Sequence, residues 1–494
     1  MHILKNKKFK ISRSQLLIFL VIITIGSVLR IQFSSFSSEM SSDPWEYRLN
    51  AIGFSRGEFF KHHPMGYPFL LYLLFSVFGI SFPAQYCFNI LLSILSIGFM
   101  FLIGCLLRHN KSIGFLSAIF IAASPIHVFF AGSGQNETSS LFAILATLLS
   151  FFMWRASGFI YLLYLSMFCS LYAMLIRPDN LIYPIAILSY LYVRYGMSIF
   201  LPRISIAQKA YMFSFIILFL YSLSEVSLYY ARYSKSLLGS YNLLGLGNIV
   251  PNLSGNISLI LHFNSLFILA VCISLPSLFK NKNGKIMGVL MLWLFMSFIP
   301  FLLHLGLFKI RYNLQFSIPL ILLSSIGLHG VFDFFKTSFS RKIPIIIFVL
   351  MVTGNFVFIT KYQIPLNAKN LYDKVAERII CVYDDIIKSS KDDFLLVTLS
   401  SYEYCLIKVH DFEQPSVTAS YFLHQARNGN ESFFSKIKNK KVIFLGSKKV
   451  ASMRKDHIMN WNAVYQNIKE YESKQIYEDS SVDVFALIRR VVQK

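Results

Sequence analysis

The chain has 494 residues, 55% of them hydrophobic and only 14% charged, against roughly 25% in soluble domains. With 49 Phe, 27 Tyr and a mean hydropathy of +0.56, this composition excludes an ordinary soluble enzyme and predicts a polytopic α-helical membrane protein. The net charge of +23 would suggest nucleic acid in a soluble chain, but Lys and Arg cluster in short loops between apolar runs, as the positive-inside rule demands, so nucleic acid is not an expected partner.

Lys5, Lys7, Lys8, Lys10 and Arg13 precede the first apolar run and hold the N-terminus in the cytoplasm. The first span covers about 15–34. No small-residue cleavage site follows it, and it is too long for a secretory signal. A polar first outer loop follows, at about 35–82. Within it, Tyr67 to Ile80 is apolar but short, and reads as a helix lying at the interface. Further spans are expected near 83–107, 113–130, 137–154, 159–176, 179–195, 210–229, 258–279, 286–306, 313–335 and 343–360. These make about eleven transmembrane helices in a region spanning 1–360. Loop charge alternates along this count: Arg108, Lys111, Arg155, Lys280, Lys282 and Arg341 fall on inner loops, and the outer loops are poorer.

From Lys361 the composition turns polar. Asn367 to Ser389 has the spacing of a surface helix. Phe394–Leu399, Lys441–Gly446 and Val482–Ile488 read as buried strands. The span count puts residues 361–494 outside, as a soluble extracytoplasmic α/β domain. No glycine-rich phosphate loop occurs there. Cys87, Cys105, Cys169 and Cys272 sit in apolar runs as small hydrophobes, and a Cys381–Cys405 bridge is one option for the tail.

Chemistry concentrates in the first outer loop. Asp43 and Glu46 are three residues apart, on one face if a helix starts there. An acidic group beside a span end needs a reason. Asp43 also suits the N-cap, with Pro44 in the first turn, and neither role excludes the other. Tyr47 follows. His62, His63 and Pro64-Met65-Gly66-Tyr67-Pro68 make a rigid turn into the next apolar run. Two histidines alone are a weak metal signal, and contact of His63 with a phosphate or sugar is the better reading.

Glu137 opens a span after Gly132-Ser133-Gly134-Gln135-Asn136. It either complements the helix dipole or faces substrate. Arg177 sits in Arg177-Pro178-Asp179-Asn180, where a local pair with Asp179 competes with a binding role. Lys309, Arg311 and Tyr312 lie at the entry to a span on the side poor in basic residues. Snorkelling is the simple reading, but this side makes a phosphate ligand more attractive.

The order Asp43…Tyr47, Pro64-Met65-Gly66-Tyr67-Pro68, Ser124-Pro125, Asn136-Glu137, Arg177-Pro178 and Arg311-Tyr312…Pro319 resembles the family-39-like membrane glycosyltransferases of the C superfamily. These include dolichyl-phosphate-mannose protein mannosyltransferases and lipid A aminoarabinose transferases. The resemblance covers roughly residues 10–335. Pro44 stands where many relatives carry a second acidic residue, and Met65 where a second proline is common. The likeness implies a polyprenyl-phosphate sugar donor, a lipid, glycan or protein acceptor, and transfer at the outer face of the membrane by inverting single displacement. It implies Asp43, with Glu46 beside it, as the catalytic acid/base position. It also implies Arg311 as a ligand of the lipid phosphate, while their own settings make Tyr47, His63, Tyr67, Glu137, Arg177, Lys309 and Tyr312 substrate-binding candidates. It requires no cofactor and leaves a divalent metal open. The competing reading is a transporter or flippase of a lipid-linked sugar. That reading predicts ionisable residues near the bilayer midplane and related halves, whereas the ionisable residues sit at span ends and no internal repeat is visible.

Overall fold

The computed structural model describes residues 12–33, 42–57, 64–181, 313–335, 342–361 and 379–388, five strands beyond them, and isolated positions between 183 and 294 and at 407. The expected spans at 179–195, 210–229, 258–279 and 286–306 fall almost wholly outside the described residues, as do His63, Lys309, Arg311 and Tyr312. The chain divides into two compact units: Met1–Ser35 with Lys61–Gln363, and Phe36–Phe60 with Ile364–Lys494.

In the first unit α1 spans Arg13–Phe33. A capping box starts it: the Ser12 hydroxyl accepts from Gln15 N at 3.2 Å, and Gln15 Oε1 accepts from Ser12 N at 3.1 Å. Ile22, Gly26, Leu29 and Arg30 are buried at helical spacing. The opposite face exposes Leu17, Val21, Ile25 and Val28, the pattern of a lipid-facing helix. Next come α3 (Gly66–Phe78) and α4 (Phe82–Arg108). The Ser81 hydroxyl caps α4, accepting from Ala84 N at 3.3 Å. Then follow α5 (Lys111–Ala122), α6 (Pro125–Ala131), α7 (Glu137–Ser157) and α8 (Ile160–Ile176). Two more helices, α9 (Asn313–Phe335) and α10 (Lys342–Lys361), complete the described part of this unit.

Among the described residues three helices are long and apolar enough to cross a membrane, or four if α5 and α6 count as one span. The single span expected at 113–130 is instead broken, with α5 and α6 bent by 57°. Pro125 is the reason: it has no N–H to continue the helix and restricts the residue before it. The core packs Ile97, Met100, Phe120, Ile121, Ile126, Leu145 and Ile321, each at most 1% exposed. Helices α4 and α5 approach closely through glycines: a Cβ on Gly104 would lie 2.9 Å from Gly114 Cα.

The second unit contains α2 (Ser42–Phe54) and a five-stranded sheet. The strands are β1 (Phe394–Thr398), β2 (Ser416–Thr418), β3 (Lys441–Ser447), β4 (Tyr471–Glu478) and β5 (Val482–Arg489). The order is β2-β1-β3-β5-β4, with β1 parallel to β2 and β3, and β5 antiparallel to β3 and β4. Leu396, Val397 and Thr398 are successive and all fully buried, so both faces of the interior strand β1 are covered there. A helical turn from Ile379 passes into a π-helix at Tyr383–Lys388, within the surface helix expected there. Cys381 is a free, exposed thiol, and its expected partner Cys405 lies outside the described residues. Cys105 is buried as expected, whereas Cys87 and Cys272 are exposed.

Candidate functional site

The candidate residues divide between the two units. Asp43, Glu46 and Tyr47 lie on α2 in the second unit. The helix begins at Ser42, two residues earlier than a cap at Asp43 requires, so Asp43 occupies the first turn, where a carboxylate complements the helix dipole. Asp43 and Glu46 are half-buried, whereas Tyr47, Arg48 and Asn50 are buried.

Tyr67, Glu137 and Arg177 belong to the first unit, where the helix ends bring them into one polar network. Arg177, the residue that ends α8, donates from Nη1 to Glu137 Oε1 at 2.9 Å. The two side chains are only 10% and 2% exposed. In sequence they belong to separate clusters 40 residues apart. The alternative partner, Asp179, has a side chain outside the described residues. Asn136 precedes α7 and would be a natural cap, but its amide donates to Ile176 O at 3.0 Å instead. Asn180 continues the stitching, donating to Ser140 Oγ at 2.8 Å and Ala173 O at 2.7 Å. The α7–α8 end is therefore held by one ion pair and several amides.

The turn Gly132–Asn136 is held from the other side by α4. Gln85 Nε2 donates to Gly134 O at 2.8 Å and to Tyr67 Oη at 3.1 Å. Asn89 Nδ2 donates to Tyr67 Oη at 3.0 Å, to Gln135 O at 3.4 Å and to Ser133 O. Carbonyls of three successive residues are thus drawn toward α4. Tyr67 is fully buried, and its hydroxyl is the hub of these bonds. Its ring packs inside the protein rather than offering a stacking face.

Gly66 explains the Pro64-Met65-Gly66-Tyr67-Pro68 motif. A Cβ there would lie 2.6 Å from both Leu175 C and Ile176 N, so only glycine lets the start of α3 meet the end of α8. Tyr172 Oη fastens the same junction, donating to Gly66 O at 2.7 Å.

Gln85 and Asn89 do not stand out among the sequence motifs. Their signal is a pair of amides one helical turn apart inside an apolar run, which membrane burial makes costly unless they have partners. Among the described residues no group of three or more His, Cys, Asp or Glu is placed to hold a metal ion.

No family model matches the chain, and no curated protein matches it in sequence. Solved structures do share its fold. ArnT from Cupriavidus metallidurans in the apo state matches with a TM-score of 0.57 at 8% identity, over 96% of this chain and 98% of that one. The same protein bound to undecaprenyl phosphate gives 0.52 at 10% identity, over 96% and 98%. Archaeal oligosaccharyltransferase AglB from Archaeoglobus fulgidus, in complex with an inhibitory peptide and a dolichol-phosphate, gives 0.56 at 12% identity, over 98% and 75%. The chain therefore shares the fold of ArnT and of the archaeal oligosaccharyltransferase AglB.

Proposed function

We propose that the chain is a membrane glycosyltransferase that moves a sugar from a polyprenyl-phosphate donor to an acceptor at the outer face of the membrane. The observation that carries this reading is the near full-length fold likeness to two proteins, ArnT and AglB, whose structures hold polyprenyl phosphates. The order of the sequence motifs supports it independently. The donor tail lies among the helices, and its phosphate sits at the outer interface.

In the single displacement, the acceptor oxygen or nitrogen attacks the anomeric carbon. Its proton passes to Asp43, and the carbon–oxygen bond to the phosphate breaks with its electron pair going to the phosphate oxygen. Lys309 and Arg311 stabilise the departing phosphate. In this reading His63, Tyr312 and Tyr47 bind the sugar-phosphate substrate, and Glu46 assists Asp43. Arg177 is committed to Glu137, and Tyr67 to Gly134 O and the amides of Gln85 and Asn89, so in this reading all three act as anchors of the site. A zinc- and sulfate-bound oligosaccharyltransferase from Archaeoglobus fulgidus also shares the fold, at TM-score 0.52 and 13% identity over 95% of this chain and 72% of that one.

The N-terminus is cytoplasmic and residues 361–494 are extracytoplasmic in this reading. A membrane-impermeant thiol reagent reaches Asn428→Cys and not Ser340→Cys in intact cells, and the reverse pattern inverts the topology.

Reconstituted protein with a radiolabelled polyprenyl-phosphate sugar tests the activity. Transfer without net translocation is expected; translocation without transfer makes it a flippase. Asp43→Asn keeps the shape and removes the basicity, so transfer falls about 100-fold or more while membrane accumulation stays normal. Near wild-type transfer by this variant assigns the base elsewhere.

A further inference from the structure

Arg30 is completely buried on a membrane helix, and among the described residues it has no carboxylate partner. It lies close enough to the end of α1 to reach outward, as basic residues near span ends commonly do. Instead the guanidinium folds back along its own helix, donating from Nη1 to Gly26 O at 3.0 Å. From there it reaches the break between α5 and α6. Nη1 donates to Ala122 O at 3.1 Å and Nη2 to Ile121 O at 3.1 Å, while Nε donates to Ser93 Oγ on α4 at 2.7 Å.

The acceptors follow from the sequence. In an unbroken helix the N–H of residue 125 would serve Ile121 O, but that residue is Pro125 and has none. The last carbonyls of a helix also carry its negative dipole end, which suits a cation. A planar guanidinium has the several donors in a fixed fork needed to span three helices at once.

We propose that Arg30 is a positioning residue: it locks the α5–α6 break and thereby sets the Gly132–Asn136 turn and Glu137. The mechanical connection is short. Beyond the break, α6 is tied to α9 by His127 Nε2 and Ser317 Oγ, 2.7 Å apart. Its Phe130 carbonyl then accepts from Ser133 Oγ in the turn and from Thr138 Oγ1 at the start of α7, both at 2.9 Å. The importance of this turn for transfer rests on the proposed function; the clamp itself does not.

The test uses the full-length protein in membranes with its six natural cysteines replaced. Two reporters are introduced singly: Ser133→Cys in the turn, 1% exposed, and Ser117→Cys on α5 before the break, 0% exposed. N-ethylmaleimide labelling is followed in time. Arg30→Gln raises the rate at Ser133→Cys by about 10-fold or more and leaves Ser117→Cys within about 2-fold, because only the local opening changes. Arg30→Lys falls between, since a point charge cannot span the same acceptors. Ser93→Ala, which removes only the Nε acceptor, moves Ser133→Cys in the same direction by about 2-fold, and it decides the matter if Arg30→Gln does not accumulate. Unchanged labelling at Ser133→Cys, or an equal rise at both reporters, overturns the proposal. The labelling result stands whether or not sugar is transferred. If sugar is transferred, Arg30→Lys lowers kcat per folded molecule more than it raises the donor KM.

Discussion

Arg177 and Arg30 are both buried guanidiniums in the same unit, and they are neutralised in different ways. Arg177 faces a carboxylate, Glu137, across the ends of two helices. Arg30 faces carbonyls at a helix break and one serine hydroxyl. The first arrangement is a full ion pair, in which either member alone is expensive. The second spreads a single charge over a helix dipole and several hydrogen bonds. An ion pair can define a helix end that meets polar ligands, whereas a carbonyl-bound cation defines the shape of the backbone itself.

The largest effect comes from splitting the pair. Arg177→Met takes away the guanidinium that faces the buried Glu137 carboxylate, and should cost about 3–5 kcal/mol of stability. Arg177→Met combined with Glu137→Gln should recover most of that loss, because the buried charge is removed as well. Unfolding of the purified protein in mixed micelles, followed for both singles and the double, measures the coupling. A double variant as unstable as the sum of the two singles would show that the pair does not act as a unit.

Gly66→Ala comes next. It leaves every charge in place and tests packing alone at the same helix ends. Its Cβ would meet backbone atoms of Leu175 and Ile176 at 2.6 Å, and backbone cannot swing aside as a flexible side chain can. Overpacking of this kind costs about 1–3 kcal/mol. The junction between α3 and α8 should loosen with it, which the same unfolding assay reads. No loss of stability would mean that Pro64–Pro68 is held by its prolines rather than by this contact.

The sequence made the described spans and three of the strands legible because each is a continuous apolar run of the right length, such as Phe82–Arg108 or Phe394–Thr398. The edge strand Tyr471–Glu478 carries no apolar run because most of it is polar, and Ser416–Thr418 is only three residues long. The α5–α6 break was hidden in an apolar stretch, although Ser124-Pro125 marks it. Glu137 and Arg177 were each visible as charged residues at span ends. Their pairing was not, because nothing local connects residues 40 apart. Asp43 looked like a cap because Asp-Pro is a good helix start, yet the helix begins with Ser42. Arg30 carries no local signal beyond its place near the end of a span; only the fold shows it turned inward.

The smallest effect separates neutral anchoring from charged anchoring. Asn89 lies between the two arginine sites in character: it is fully buried and polar, yet uncharged. Asn89→Leu keeps the volume and removes the amide that holds Ser133 O and Gln135 O, along with the acceptor for Ser139 Oγ at 3.3 Å. Tyr67 Oη keeps its bond from Gln85 at 3.1 Å, so the network is thinned rather than emptied. Hydrogen bonds between membrane helices average about 0.6 kcal/mol, and unsatisfied buried carbonyls add to that, so a loss near 1 kcal/mol is expected. That is well below the cost of splitting the ion pair. If the turn only fastens helices, transfer per folded molecule should hardly change. If it presents Glu137 to the site, kcat should fall about 10-fold, since small misplacements are costly when geometry matters. Measuring stability and turnover on the same preparation distinguishes these outcomes. A stability loss as large as that of Arg177→Met would erase the distinction between charged and neutral anchoring.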